Sequence, residues 1–341
     1  MTETAEDPAS AEELGPLLIR RFKAYRADAK RSVLQLLTTG LPFIALLILM
    51  AALSEERYWL TLLLAVPAAG LLVRLFIIQH DCGHGSFFRS RAANDRLGRA
   101  LSMLTLTPYG SWAQGHAEHH ASTGNLDRRG RGDVETWTLS EYQAATPLKQ
   151  WLYRLYRNPF VMVGIGAPIN FILLQRLPSH DNQASRRSVL GLDLALFVLF
   201  GAACALFGAV RVLGTYLPVI VIAAWAGNWL FYVQHQFDAA EWERDGDWDF
   251  HAASLVGSSY FKLPSLLRWF SGNIGMHHVH HLCSRVPNYH LPACVESAPE
   301  LAAIVNVVTL RDSLRCWRLA LWDEQRRSLV SFRESRIGAC P

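Results

Sequence analysis

Gly272-Asn273-Ile274-Gly275-Met276-His277-His278-Val279-His280-His281-Leu282 is the stretch from which the rest of the chain is best read. His277, His280 and His281 stand at i, i+3 and i+4, the spacing that puts side chains on one helix face and aims three imidazoles at one point. His116, His119 and His120 repeat it, and His-Asp-Cys-Gly-His adds an i, i+4 pair at His80 and His84. Eight histidines in three helical clusters imply a metal site. Imidazole suits zinc, copper, iron and nickel alike, so ligand number has to decide. A structural zinc site takes about four ligands, usually with cysteine among them. This many nitrogens suits two ions, and two irons would keep positions open for oxygen.

The chain has 341 residues, 51% of them apolar, and its mean hydropathy is positive, which points to bilayer spans. The first fifteen residues are acidic and polar and lack the basic and apolar regions of a signal peptide, so the N-terminus is expected to stay cytosolic. The six cysteines form no CxxC pair, against a disulfide framework, a thiolate zinc site or an Fe–S cluster. Net charge is +4, with Arg outnumbering Lys 29 to 4. These cations flank apolar segments and line no basic domain, which excludes nucleic acid as a partner and suits orientation in a membrane.

In chain order, residues 1–15 read as a tail and 17–31 as an interfacial amphipathic helix. Apolar runs at 33–53, 58–78, 189–210 and 217–233 are long enough to cross a bilayer core of about 30 Å. They make two hairpins with short turns at 54–57 and 211–216, and Arg74 is expected to snorkel to the interface. Residues 101–109 and 160–177 read as interfacial segments, and the basic run 128–131 as a solvated loop near lipid headgroups. Four spans put all three histidine clusters on one face. The charge asymmetry makes that face cytoplasmic, in a bacterial cytoplasmic membrane. His235, where the fourth span leaves the bilayer, is a ninth ligand candidate. Beyond Leu282 a turn at 287–292 leads to helices as far as 332. The expected architecture is all-α: four transmembrane helices under a cytoplasmic helical cap. It forms one domain over 33–332, preceded by a tail and interfacial helix at 1–32 and followed by a tail at 333–341.

These residues resemble the membrane fatty-acid desaturases, specifically the bacterial omega-6 or Δ12 acyl-lipid branch. The likeness rests on His-Asp-Cys-Gly-His, Gly-His-Ala-Glu-His-His, Asp-Val-Glu-Thr-Trp-Thr-Leu-Ser-Glu-Tyr (133–142), Val-Gln-His-Gln-Phe (233–237), and the third box with its following Arg-Val-Pro-Asn-Tyr. It implies a non-haem di-iron enzyme that uses O2 and two electrons to remove two hydrogens from an acyl chain. The implied ligands are His80, His84, His116, His119, His120, His235, His277, His280 and His281. Asn273 or Asn228 would hold an iron-bound water, and His278 would lie in the shell around the ligands. Asp81, Glu118 and Asp133 are candidate acceptors for the second ring nitrogens. Trp112, Trp225 and Trp229 are candidate walls of an acyl slot, while His180, His251 and His290 match no box.

An unactivated methylene offers no acidic proton, so a cofactor must supply the oxidant. The chain carries no segment like ferredoxin or cytochrome b5, so a separate donor of that kind, with its reductase, is implied. The acyl group would come on a membrane lipid, on CoA or on a carrier protein. Hydroxylases, acetylenases and other di-iron membrane oxidases share such boxes. A metal transporter would place its ligands near the bilayer midplane, and neither His80–His84 nor His116–His120 has the Glu of HExxH.

Overall fold

A computed structural model describes residues 10–130, 132–178 and 182–337. Four helices are long and apolar enough to cross a membrane: Ala29–Leu53, Tyr58–His84, Gln183–Phe207 and Ala209–His235, here spans 1 to 4. Span 2 is the most enclosed. Its Leu72, Leu75 and Ile78 form the main core with Phe43 and Met50 of span 1 and Val219 of span 4.

The spans run longer than their apolar stretches. Span 2 continues unbroken past 78 to His84, so one rigid rod carries both histidines of the first box. Gly85 at φ 69° then closes it in the left-handed region where glycine is favoured. The turn expected at 211–216 lies inside span 4. The break falls at Gly208, φ 84° and ψ 136°, a conformation reserved for glycine. Arg211, which interrupts the apolar run, instead pairs with Glu55 at 2.7 Å and ties the two hairpins together. Span 3 starts at Gln183 because Asn182 caps it, accepting from the backbone N–H groups of Ala184 and Ser185.

Arg74 does not snorkel. It is buried, donates to Thr39 Oγ1 at 3.2 Å and to the Trp269 carbonyl, and lies 4.3 Å from the Trp269 ring. The helix Ser265–Phe270 packs beside span 2 at this level and supplies both contacts. Residues 101–109 are not one interfacial segment. They span the end of a helix, Arg91–Thr105, a break at 106–108 and the start of a helix, Tyr109–Ser122. Gln79, next to His80, holds the break by donating to the Thr107 carbonyl at 3.0 Å and accepting from Thr105 at 2.5 Å. The 160–177 region is π-helical over Phe160–Gly166, then α-helical over Ala167–Ile172, and bends 54° from Pro147–Tyr156.

The N-terminal helix runs Ala11–Phe22, earlier than expected, behind a Ser10–Glu13 capping box. Leu18 and Phe22 bury against Leu255 and Val279 of the cap, so the helix is docked there. The 283–332 region is not wholly helical. Strands Leu319–Asp323 and Ser328–Ser331 pair antiparallel, and Trp137–Thr138 joins them in parallel. In the basic loop, Arg129 is fixed by Glu141 and the Thr136 carbonyl; Arg131 lies outside the described residues.

Buried Arg157 ties these parts together. It donates to the Glu135 and Leu319 carbonyls at 3.0 and 2.8 Å, to Tyr232 at 3.2 Å and to Gln236 at 2.8 Å, next to His235. A charge-assisted hydrogen bond contributes about 1.5–3 kcal/mol, and an acceptor left unpaired costs more. Arg157→Met should therefore lower the thermal unfolding midpoint in detergent by several degrees, whereas exposed Lys149→Met should leave it unchanged.

Candidate metal centre

Four elements deliver the histidines. The last turn of span 2 carries His80 and His84, and the helix Tyr109–Ser122 carries His116, His119 and His120. Span 4 ends on His235, and the helix His277–Leu282 carries the third box.

The three histidines of a box do not aim at one point. His80, His84, His116, His120 and His280 form one group, and His119, His235, His277 and His281 a second. Within each group the ligating atoms lie within 4.8 Å of one another. The i and i+4 residues of each longer box share a group, while the i+3 residue leans to the other. On a helix i and i+4 are 400° apart and i+3 falls about 60° short of a full turn, so the i+3 ring sits on the other shoulder of the face. His119 and His280 thus exchange between the groups, and each of the two longer boxes serves both, while the first box serves one.

Both groups fit metal ions. In the second, Nε2 atoms stand 3.2 Å apart between His119 and His235, 2.9 Å between His235 and His277, and 3.0 Å between His277 and His281. In the first, His120 Nε2 is 3.1 Å from that of His116 and 3.0 Å from that of His280. Two imidazole nitrogens about 2.1 Å from one ion, at a right angle, would stand about 3.0 Å apart. His84 Nε2 is buried with no hydrogen-bond partner among the described residues, a costly state that an ion would relieve.

Carboxylates hold one ring in each group by Nδ1. Asp81 Oδ1 is 3.2 Å from His80 Nδ1, and Asp133 Oδ1 is 2.5 Å from His119 Nδ1. A proton held on Nδ1 leaves Nε2 bare for a metal. Asp133 reaches His119 because Gly132, at φ 80°, lets the loop pass where a Cβ would stand 3.1 Å from His119 Cβ. Glu118 instead accepts from Gln114 at 3.3 Å.

The remaining candidates separate. His278 is buried outside both groups, 5.8 Å from the Tyr260 ring, and burial pushes it down to about 3. Asn273 donates to the Asn288 carbonyl at 3.1 Å, and Asn228 lines the cavity described below. His251 and His290 belong to neither group, and His180 lies outside the described residues.

A mostly apolar cavity of about 760 Å³ lies against both groups; His80 and His116 of the first and His119 and His277 of the second line it. Along span 4 it runs from Ile220 to Gln234, about 21 Å at 1.5 Å per residue. Leu174 and Leu177 line it and are exposed, so it opens at the 160–177 segment. Trp112 stacks on His116 in its wall, with ring centroids 4.6 Å apart. Trp225 and Trp229 lie outside it: Trp225 donates to the Gly164 carbonyl and Trp229 packs on Trp317.

Four helices long and apolar enough to cross a membrane, two histidine groups fit to hold metal ions and a long apolar cavity beside both are the features expected of a membrane metalloprotein. The fatty acid desaturase family model matches residues 57–307. A fatty acid desaturase of Bacillus subtilis is 43% identical over 90% of this chain and 87% of its own length. An sn-1 acyl-lipid omega-3 desaturase (ferredoxin) and an sn-1 oleoyl-lipid 12-desaturase, both of Synechocystis, are 30% and 27% identical. The matched region covers 65% and 64% of this chain, and 63% of each Synechocystis protein. The chain belongs to the fatty acid desaturase family and is an enzyme of that class.

Burial, reinforced by neighbouring imidazoles, holds His116, His120, His277, His280 and His281 well below the ordinary histidine range. These rings stay neutral when folded but protonate near their normal value of about 6.5 when unfolded, so the unfolded state binds more protons below that pH. Stability of the metal-free protein should be full above pH 7 and fall as pH drops from about 6.5. The slope is about 1.4 kcal/mol per pH unit for each such ring. Melting curves of chelated protein between pH 5 and 8 test this, and a flat profile would contradict it.

Proposed function

We propose that this enzyme is an O2-dependent acyl-lipid desaturase of the Δ12/omega-6 type holding two iron ions. The five-histidine group would bind one ion and the four-histidine group the other, so that the nine histidines named above are the ligands. The observation that carries this reading is that both groups open onto one long apolar cavity. Iron bound there would activate O2 as the oxidant that an unactivated methylene requires and that no side chain can provide.

The chain's own residues prepare the site. Asp81 and Asp133 hold protons on Nδ1 of His80 and His119 and present both rings by Nε2. Trp112, stacked on His116, forms a wall that keeps an acyl chain against the histidines. Phe76 and Phe231 extend that apolar wall and exclude water, and the depth of the cavity beyond them sets which carbon faces the metals. Asn228 would hold an iron-bound water, since its amide side chain borders the same cavity; Asn273 spends its amide on Asn288.

Residues 33–332 act as one desaturase domain with the metal groups on the cytoplasmic face of a bacterial membrane. That orientation rests on the excess of Arg and Lys on the histidine side. Electrons come from a separate ferredoxin or cytochrome b5-type donor with its reductase. The Synechocystis relatives, named for acyl-lipid, oleoyl-lipid and ferredoxin, support the lipid substrate and the donor class; they differ in position, one being an omega-3 and the other a 12-desaturase.

The test is expression with a ferredoxin system in a bacterial host that makes only saturated and monounsaturated chains. Double bonds are then located by mass spectrometry and iron is counted. A new Δ12 double bond, about two irons per chain and loss of product in His280→Ala are expected. Hydroxylated or acetylenic chains would overturn desaturation, and bound zinc without iron would overturn the metal assignment.

A further inference from the structure

The turn after the third box is not a passive connection. Asn288 sits in it, 1% exposed, and makes two hydrogen bonds to one carboxylate oxygen: its backbone N–H and its side-chain Nδ2 donate to Asp81 Oδ2 at 2.7 and 2.8 Å. The other oxygen, Asp81 Oδ1, is the one that faces His80 Nδ1. The far side of the Asn288 amide is engaged as well. Its Oδ1 accepts from Gln35 Nε2 of span 1 at 2.8 Å, and its Nδ2 lies 3.3 Å from Gln35 Oε1. Its backbone carbonyl accepts from Asn273, four residues before His277. The next residue, Tyr289, accepts from the Asp28 backbone N–H at 2.9 Å where span 1 begins.

We propose that Asn288 is a positioning residue for the five-histidine group. It acts through Asp81 on His80 and fixes the first box relative to the third. The assignment rests on the two-metal reading above. Carboxylates rotate about their terminal bond, and a buried one with a single partner has no fixed orientation. Two donors on Oδ2 remove that freedom and leave Oδ1 to hold the Nδ1 proton of His80. The Asp81 carboxylate only accepts, so it turns the NH2 of the Asn288 amide towards itself, and the Gln35 amide pairs with that orientation from the other side. The first and third boxes meet in this group alone, with the His80 and His280 ring centroids 4.4 Å apart. A strut between the segments carrying those boxes therefore controls this group and not the other. The four-histidine group has its own support in Asp133, on a different loop.

The test is metal titration of the purified full chain, stripped of metal and held in detergent, with ferrous iron as the probe and binding followed spectroscopically. Two phases are expected in the unmodified protein. Loss of a residue that orients a metal-ligating histidine lowers affinity about 10–100-fold. Asn288→Ala should weaken one phase by that factor and leave the second unchanged. Asp81→Asn should weaken the same phase, and the double variant should be no weaker than Asp81→Asn alone, as expected for residues acting in one chain. Gln35→Leu should weaken that phase less, and Asp133→Asn should weaken the other phase. Joint weakening of both phases by Asn288→Ala would make it a merely structural residue and overturn the proposal. No change, or losses that add to those of Asp81→Asn, would overturn it too. A single phase in the unmodified protein fails the two-metal reading itself, and the Asn288 assignment with it.

Discussion

Burying nine imidazoles within a few ångströms of one another is possible only while they stay uncharged and their nitrogens have partners. Much of the architecture follows from that constraint. Desolvation keeps His116, His120, His277, His280 and His281 neutral, carboxylates placed at Nδ1 choose the tautomer of His80 and His119, and the ligating nitrogens crowd into two clusters at ligand-like spacings. The cap exists to hold such a cluster dry. Its packing extends from the docked N-terminal helix to the strand pair at 319–331, and its hydrogen bonds run back into the spans at Arg74, Gln79 and Tyr232.

The spans are structural rods more than anchors. Span 2 carries His80 and His84 on a helix that never breaks between its apolar stretch and the site, and span 4 ends on His235 in the same way. A histidine at the end of a packed 27-residue helix has far less freedom than one on a loop, the property a preorganised site requires. The cavity runs beside those rods, so the helices that fix the metal groups also form the wall along which an acyl chain would lie.

The helical spacing of the histidines is a local property, and the sequence displays it directly; the number and order of the spans are legible for the same reason, since apolar runs are counted along the chain. That His119 and His280 sit on the other shoulder of their helices is local too, but which distant histidines each one joins depends on how the box helices face each other, and no local pattern carries that. Arg74 reads as a snorkelling cation because its partners, Thr39 and Trp269, are distant in sequence. Gly208 hides the third-to-fourth turn in a single residue, while Arg211 mimics one. Asn288 stands in a motif that was recognisable as a unit, Arg-Val-Pro-Asn-Tyr, but its partners Gln35 and Asp81 lie more than 200 residues upstream.

In the proposed enzyme the two histidine groups are two separate iron sites that share one apolar cavity. Anomalous scattering at the iron edge from crystals of the iron-loaded enzyme tests it most directly. Two peaks of comparable height are expected, one enclosed by His80, His84, His116, His120 and His280 and the other by His119, His235, His277 and His281. A single peak, or two peaks within one group, would contradict it.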